Sequence, residues 1–133
     1  MDCEKLETEI QAKGLTAPRV TPADVEAAIL SEHCFTAQHG VAGAMANGEL
    51  YQRHHDTDTV NDKRVAWTTN PLMLLTFCVL VLRNGFTVTG ESACASPENF
   101  NAEIGRKIAF ENAKAKIWPL LGYALRDKLA GGK

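Results

Sequence analysis

Asn99, Glu103 and Arg106 follow one another at steps of four and three, so on a helix an amide, a carboxylate and a guanidinium share one face. A guanidinium pairs with phosphate oxygens through two parallel N–H donors, and a neighbouring amide adds hydrogen bonds, so the set suits a phosphate-bearing ligand. Gly105, beside Arg106, costs a helix interior roughly 1 kcal/mol relative to Ala, which signals a close backbone approach to a ligand or partner. Upstream, Ser92 and Ser96 stand beside the start of that helix, where free N–H groups attract anions. Phe86 offers a ring that stacks on a base or fills a core. All of these residues also have plain structural uses, as solvated charges, a packing glycine, a helix cap and a core ring.

Other chemistries find less footing. His33, His39, His54 and His55 with Cys34 have none of the HxxxH, HExxH or CxxC spacings of zinc sites, and side chains as close in sequence as His54 and His55 usually point apart. There is no GxSxG, Cys34 and Cys94 lack a base partner, and nothing beyond charge marks Glu91 and Glu103 as a catalytic pair. Phosphate-loop and dinucleotide glycine patterns are absent too. The expectation is a binding protein that is not an enzyme, with no metal and no cofactor.

A chain of 133 residues fits one domain over 1–133, and 45% hydrophobic with 23% charged residues is an ordinary globular composition. Its own core is modest, and partner chains would enlarge it. The net charge of −2 argues against a general polyanion binder and against nucleic acid as the partner. Charge is uneven: residues 1–70 carry −5 and residues 71–133 carry +3, so an anionic ligand belongs with the second half. The acidic start MDCEKLETEI is unlike a signal peptide, and the apolar run Leu72 to Leu82 is too short to span a bilayer, so no membrane partner and a cytoplasmic location are expected. In a reducing compartment Cys3, Cys34, Cys78 and Cys94 read as small, mostly buried apolar side chains.

The elements that must position these residues are legible in part. Leu6 and Ile10 predict a short helix over 2–13, ended by Gly14. Thr21, Pro22 and Asp24 open a second helix, predicted to run from about Pro22 to His33 with Val25, Ala28 and Ile29 on its apolar side. From Thr36 to Asn70 the pattern fades into a variable loop or insertion, with room for short helical or strand pieces. LLTFCVLVL, Leu74 to Leu82, is a strand apolar on both faces, and Phe86 to Ala93 alternates as its return strand. Asn84-Gly85 suits a two-residue type I′ turn, which pairs Arg83 with Phe86, Val81 with Val88, Leu80 with Thr89, Cys78 with Glu91 and Phe77 with Ser92. A doubly apolar strand needs cover on both faces, one from the C-terminal helix and one from the N-terminal helix or another subunit. The C-terminal helix is expected to open at Ser96-Pro97-Glu98 and to bury Phe100, Ile104, Ile108, Ala115 and Trp118. Pro119 then stops or kinks it before Leu121, Leu125 and Leu129. The fold class is α+β: an antiparallel hairpin or small sheet packed against N-terminal and C-terminal helices, in an oligomer.

From Leu74 to the C-terminal leucines, the motifs NGFTVTGESA, PENFNAEIG, the Arg-Lys that follows and KIWPLLGY occur consecutively over about 55 residues. With RVTPADVEAAILSEHCFTA near the N-terminus, they resemble a family of small tailed-phage proteins. That family includes the first-type Thoeris anti-defence sponges, non-enzymatic proteins that sequester cyclic ADP-ribose isomers and in some members cyclic oligonucleotides. The resemblance implies a homo-oligomer, a dimer or a hexamer, with ligand pockets at subunit interfaces in the host cytoplasm. It places base stacking on Phe86 and polar or phosphate contacts on Asn99 and Arg106. Arg83, Thr89 and Ser92 join the candidate site as neighbours across the hairpin. The segment from Thr36 to Asn70 departs from the compact pattern of the family. The alternative is a protein-interaction module that docks on a host protein through Leu80, Leu82 and the hairpin edge.

Overall fold

The structure, a computed structural model, describes residues 3–15, 17–53 and 71–131. Helix α1 spans Cys3–Ala12, and Gly14 leaves it with φ +70. Helix α2, Pro22–Ala28, has the expected start: the Thr21 hydroxyl accepts the Asp24 N–H at 3.1 Å and the Thr21 N–H donates to the Asp24 carboxylate at 2.9 Å. It stops well short of His33. Ile29–Thr36 is instead strand β1, paired antiparallel with β2, Leu75–Leu82, with a bulge at Leu30. The central strand has two backbone edges to satisfy, and its need for a second partner overrides the helical pattern of residues 29–33.

The variable segment expected from Thr36 opens with a short helix, a piece that the expectation left room for. Thr36 closes a second capping box with His39, and helix α3, Ala37–Ala46, follows. Its run of small residues carries no apolar stripe, but alanine favours helix without one. A short 3-10 turn, Pro71–Leu74, leads into β2. The expectations for 54–70, His54 and His55 included, lie outside the described residues.

Strand β3, Thr87–Ala93, completes an antiparallel sheet of order β1-β2-β3. Its register differs from the expected one by a single residue: Val81 faces Thr87, Leu80 faces Val88, Cys78 faces Gly90 and Thr76 faces Ser92. Asn84 does not take a positive φ; Gly85 alone does, at +92. The Gly85 N–H donates to the Leu82 carbonyl and the Leu82 N–H donates to the Phe86 carbonyl, both at 2.8 Å, which is a three-residue loop ending in a glycine bulge. Thr76, Cys78, Leu80, Leu82, Val88 and Gly90 now share the buried face, while Val79 and Val81 share the outer one with Thr87, Thr89 and Glu91.

Helix α4, Ala102–Ala115, lies on the buried face. It is capped by Asn101, whose side-chain oxygen accepts the Ile104 N–H at 3.0 Å; Ser96 makes no cap bond, and Pro97–Asn99 is a separate 3-10 turn. The expected core stripe is corrected with the start. Gly105, Ala109 and Ala113 are buried, whereas Ile104 and Ile108 are 56% and 46% exposed. Side chains this small let the helix axis sit close to the sheet, so the turn of the helix that touches it is the one without bulk. The chain breaks again at Lys116, where Pro119 has no N–H to give the Ala115 carbonyl, and α5 runs over Ile117–Leu129. Ile117 joins Val25 and Leu80 in the core, with Trp118 and Leu121 packed against it. The N-terminal helices thus pack on the α5 side of the core and do not supply the second cover expected for the sheet. Beyond a corner where Phe35 and Phe77 stack at 5.9 Å and Gly40 of α3 passes Phe35, no helix among the described residues lies on the outer face.

Candidate functional site

The register change redistributes the candidate residues. Thr89 sits on the outer face opposite Val79, and Ser92 sits opposite Thr76 on the α4 side. Arg83 and Phe86 occupy the hairpin tip. There the Arg83 N–H and Nε donate to the Ala28 and Ala27 carbonyls, so its guanidinium caps the C-terminal end of α2, where positive charge is favoured. Asn84 Oδ1 accepts the Phe86 N–H at 3.0 Å and holds the tip, and the Phe86 ring remains 56% exposed. From Phe86 to Ser92 the strand runs about 20 Å. Ser92, Asn99 and Arg106 therefore lie at the opposite end of the hairpin, and one chain does not bring all six candidates together. Asn99 and Glu103 do not share a helix face as expected, because Asn99 lies outside α4 and Glu103 pairs with Lys107 at 3.4 Å.

At the Arg106 end is a cavity of about 270 Å³, lined by Cys34, Phe35, Thr36, Gln38, His39, Met73, Thr76, Phe100, Ala102 and Arg106. Two helix starts border it, α3 through Thr36, Gln38 and His39, and α4 through Ala102. Helix starts carry partial positive charge. Among the described residues no carboxylate lines the cavity, and the Arg106 side chain has no ion pair or hydrogen bond. His39 Nδ1 accepts the Thr36 N–H at 3.1 Å, which leaves the neutral ring's proton on Nε2 as a further donor.

The wall also holds a buried anomaly. Thr76 is 3% exposed, and its hydroxyl has no hydrogen-bond partner among the described residues. Gly105 lies against it; a Cβ there would stand 3.0 Å from Thr76 Oγ1. The close approach at Gly105 is thus to a threonine of the same chain, the packing use of this glycine rather than the expected approach to a ligand or partner. An unpaired buried hydroxyl costs about 1–3 kcal/mol, and a ligand oxygen that paired with it would recover that cost. Arg106, His39 and Thr76 line one cavity in which no carboxylate appears among the described residues, an arrangement complementary to an anion.

A larger cleft, about 410 Å³, separates α1 from α4 and α5 and is lined by Leu6, Ile10, Val20 and Trp118 among others. Its cations are already engaged: Arg19 binds Glu7 through two bonds of 2.6 Å, and Lys114 binds Glu26 at 2.9 Å. That cleft is a packing seam for α1, and the smaller cavity is the better site. The sequence singled out Arg106 but not Thr76, Thr36 or His39 as its neighbours. The signal for Thr76 was present, since it is the one hydroxyl within LLTFCVLVL.

Residues 20–129 match the family model described as the Phage protein (N4 Gp49/phage Sf6 gene 66) family. No curated protein and no solved structure matches the chain. No helix among the described residues is long and apolar enough to cross a membrane.

Proposed function

The chain belongs to that phage protein family, and from this premise we propose that it is a non-catalytic sponge for a cyclic nucleotide immune signal, acting in the host cytoplasm. The ligand class is a cyclic ADP-ribose isomer or a cyclic oligonucleotide, held without turnover so that the host effector it would activate stays off. The observation that carries the reading is the cavity, without a carboxylate among the described residues, whose lining holds both the unpaired Arg106 and Thr76 with its orphaned hydroxyl, between two helix starts. A pyrophosphate is the part of such a ligand that fits these donors. A base needs an aromatic face, and the exposed Phe86 ring lies about 20 Å away along its own strand. The separation supports a site built from two copies, in which the hairpin tip of one subunit approaches the Arg106 end of another. Assembly would also cover the outer sheet face and the exposed Ile104 and Ile108.

The docking alternative loses its named anchors, because Leu80 and Leu82 are buried beneath α4. The test is retention. The purified protein is incubated with cyclic ADP-ribose isomers, freed of unbound ligand, and heat-denatured for analysis of what is released. Intact ligand supports the sponge; a hydrolysed product makes the protein an enzyme, and an empty protein returns the docking reading through some other surface.

A further inference from the structure

Glu32, Cys34 and Cys78 come together only through the β1–β2 pairing, and the nucleotide reading uses none of their ligand atoms. Glu32 and Cys34 are two residues apart on β1 and therefore on one face, and Cys78 stands directly across from Cys34 on β2. One carboxylate oxygen and the two sulfurs all lie within 4.8 Å of one another. Their burial is graded from the enclosed Cys78 through the half-buried Cys34 to the exposed Glu32. Glu32 lies on the same side of the sheet as α4, beside Leu80, and its carboxylate has no hydrogen bond or ion pair among the described residues.

We propose that this trio binds a thiophilic divalent cation, zinc above all, at the sheet edge, with Glu32 at the mouth and water as the fourth ligand. Zinc bonds thiolate at about 2.3 Å and carboxylate at about 2.0–2.2 Å, so tetrahedral ligand atoms stand about 3.8 Å apart or less, within side-chain rotation of the distances here. Two sulfurs with one carboxylate favour zinc over magnesium or calcium, which take oxygen ligands. Binding forms two metal–sulfur bonds and one metal–oxygen bond and releases the two thiol protons to solvent. Access is from the β1 edge, past Glu32. The spacing Glu32-x-Cys34 with a lone Cys78 far downstream matches no zinc pattern in a linear sequence, so this cross-strand set is invisible until the strands pair.

Cobalt(II) is the probe, added under a phosphine reductant to a Cys3→Ser, Cys94→Ser protein so that only these two thiols remain. The expected result is one equivalent bound, with a near-ultraviolet thiolate-to-cobalt band and the visible bands of tetrahedral cobalt, both erased by one equivalent of zinc. Cys34→Ser should remove most of the charge-transfer intensity, and Glu32→Gln, at an exposed position that leaves folding intact, should weaken binding at least tenfold. Zinc should also raise the melting temperature of the parent and not of Cys34→Ser. No charge-transfer band, or a band that Cys34→Ser leaves unchanged, overturns the proposal.

Discussion

Gly90 meets Ala109 backbone to backbone: a Cβ on Gly90 would fall 2.2 Å from the Ala109 carbonyl oxygen and 2.3 Å from the Ala113 amide nitrogen. No side-chain rotation relieves that overlap, so the helix must lift from the sheet. Gly90→Ala should destabilise the protein by about 3 kcal/mol, the upper range for overpacking a close-packed seam. Urea denaturation measures it. The control is Gly122→Ala in α5, where an added Cβ meets nothing within 4 Å and helix propensity predicts a gain of up to about 1 kcal/mol. Equal midpoints for the two variants would mean that α4 does not rest on Gly90.

Acid should loosen the α1 end of the molecule first. Hydrogen bonds from Arg19, and then from Gln11, hold the Glu7 carboxyl at about 2, well below its ordinary 4.5. A lowered folded value means that the carboxylate form stabilises the fold. That contribution is complete above the ordinary value and is lost as pH falls from there toward about 2. Amide exchange in Cys3–Ala12 should rise in this window, and Arg19→Ala should leave α1 less protected already at neutral pH, with most of the acid-dependent rise gone. Unchanged protection of α1 at pH 2 would refute the ion pair as its tether.

Alkali should act through Cys78. Its thiol is pushed up to about 12 from an ordinary 9.0, chiefly by burial, so the neutral form is the one the fold favours. The stabilisation is whole below 9.0 and is lost as pH climbs from there toward about 12. At pH 8 iodoacetamide should label the exposed Cys3 readily and leave Cys78 unmodified until denaturant is added. Peptide mass mapping reads the order, and early labelling of Cys78 would place it outside the core.

The two turn solutions at Asn84-Gly85 show where the sequence stops being decisive. Asparagine followed by glycine suits either a type I′ pair or a type I turn ended by a glycine bulge, and the two differ by one residue of register. The neighbouring strand could not arbitrate, because LLTFCVLVL is apolar on both faces and accepts either register. The return strand could have: Thr87, Thr89 and Glu91 are a polar set, Val88 and Gly90 the buried one. Caps with a side-chain mechanism, such as Thr21 with Asp24, were legible because the chemistry is local. Strand β1 was not, since Ser31, Glu32 and His33 look like helix surface until β2 offers an edge. The site follows the same division. Arg106 could be named from its helix, while the Thr76 hydroxyl became a feature only through what fails to meet it.

Phe86 and Arg106 should behave as separate contributors to ligand retention. With each replaced by Ala, affinity for a cyclic ADP-ribose isomer is expected to fall at least tenfold, about 1.4 kcal/mol, by loss of base stacking in one case and of a charge-assisted pair in the other. Both side chains are exposed, so thermal stability should hardly change. Mixing the two variants tests assembly across subunits, because mixed oligomers regain some wild-type sites. A double variant that binds as tightly as the parent would remove these residues from the site and leave the function to be placed elsewhere in the chain.

Thr76→Val separates stability from binding at one atom. Valine keeps the shape of the side chain and deletes the buried hydroxyl that has no partner among the described residues. In the ligand-free protein the loss of an unpaired polar group should raise stability by about 1 kcal/mol, read as a higher urea midpoint. Ligand reverses the sign. If a phosphate oxygen of the nucleotide accepts from Thr76, the variant loses that bond and its affinity falls by about tenfold, measured by calorimetric titration. Thr76→Ser should keep the affinity and forgo the stability, because it retains the hydroxyl. A valine variant that gains stability and binds as well as the parent would assign the orphaned hydroxyl to packing against Gly105 alone.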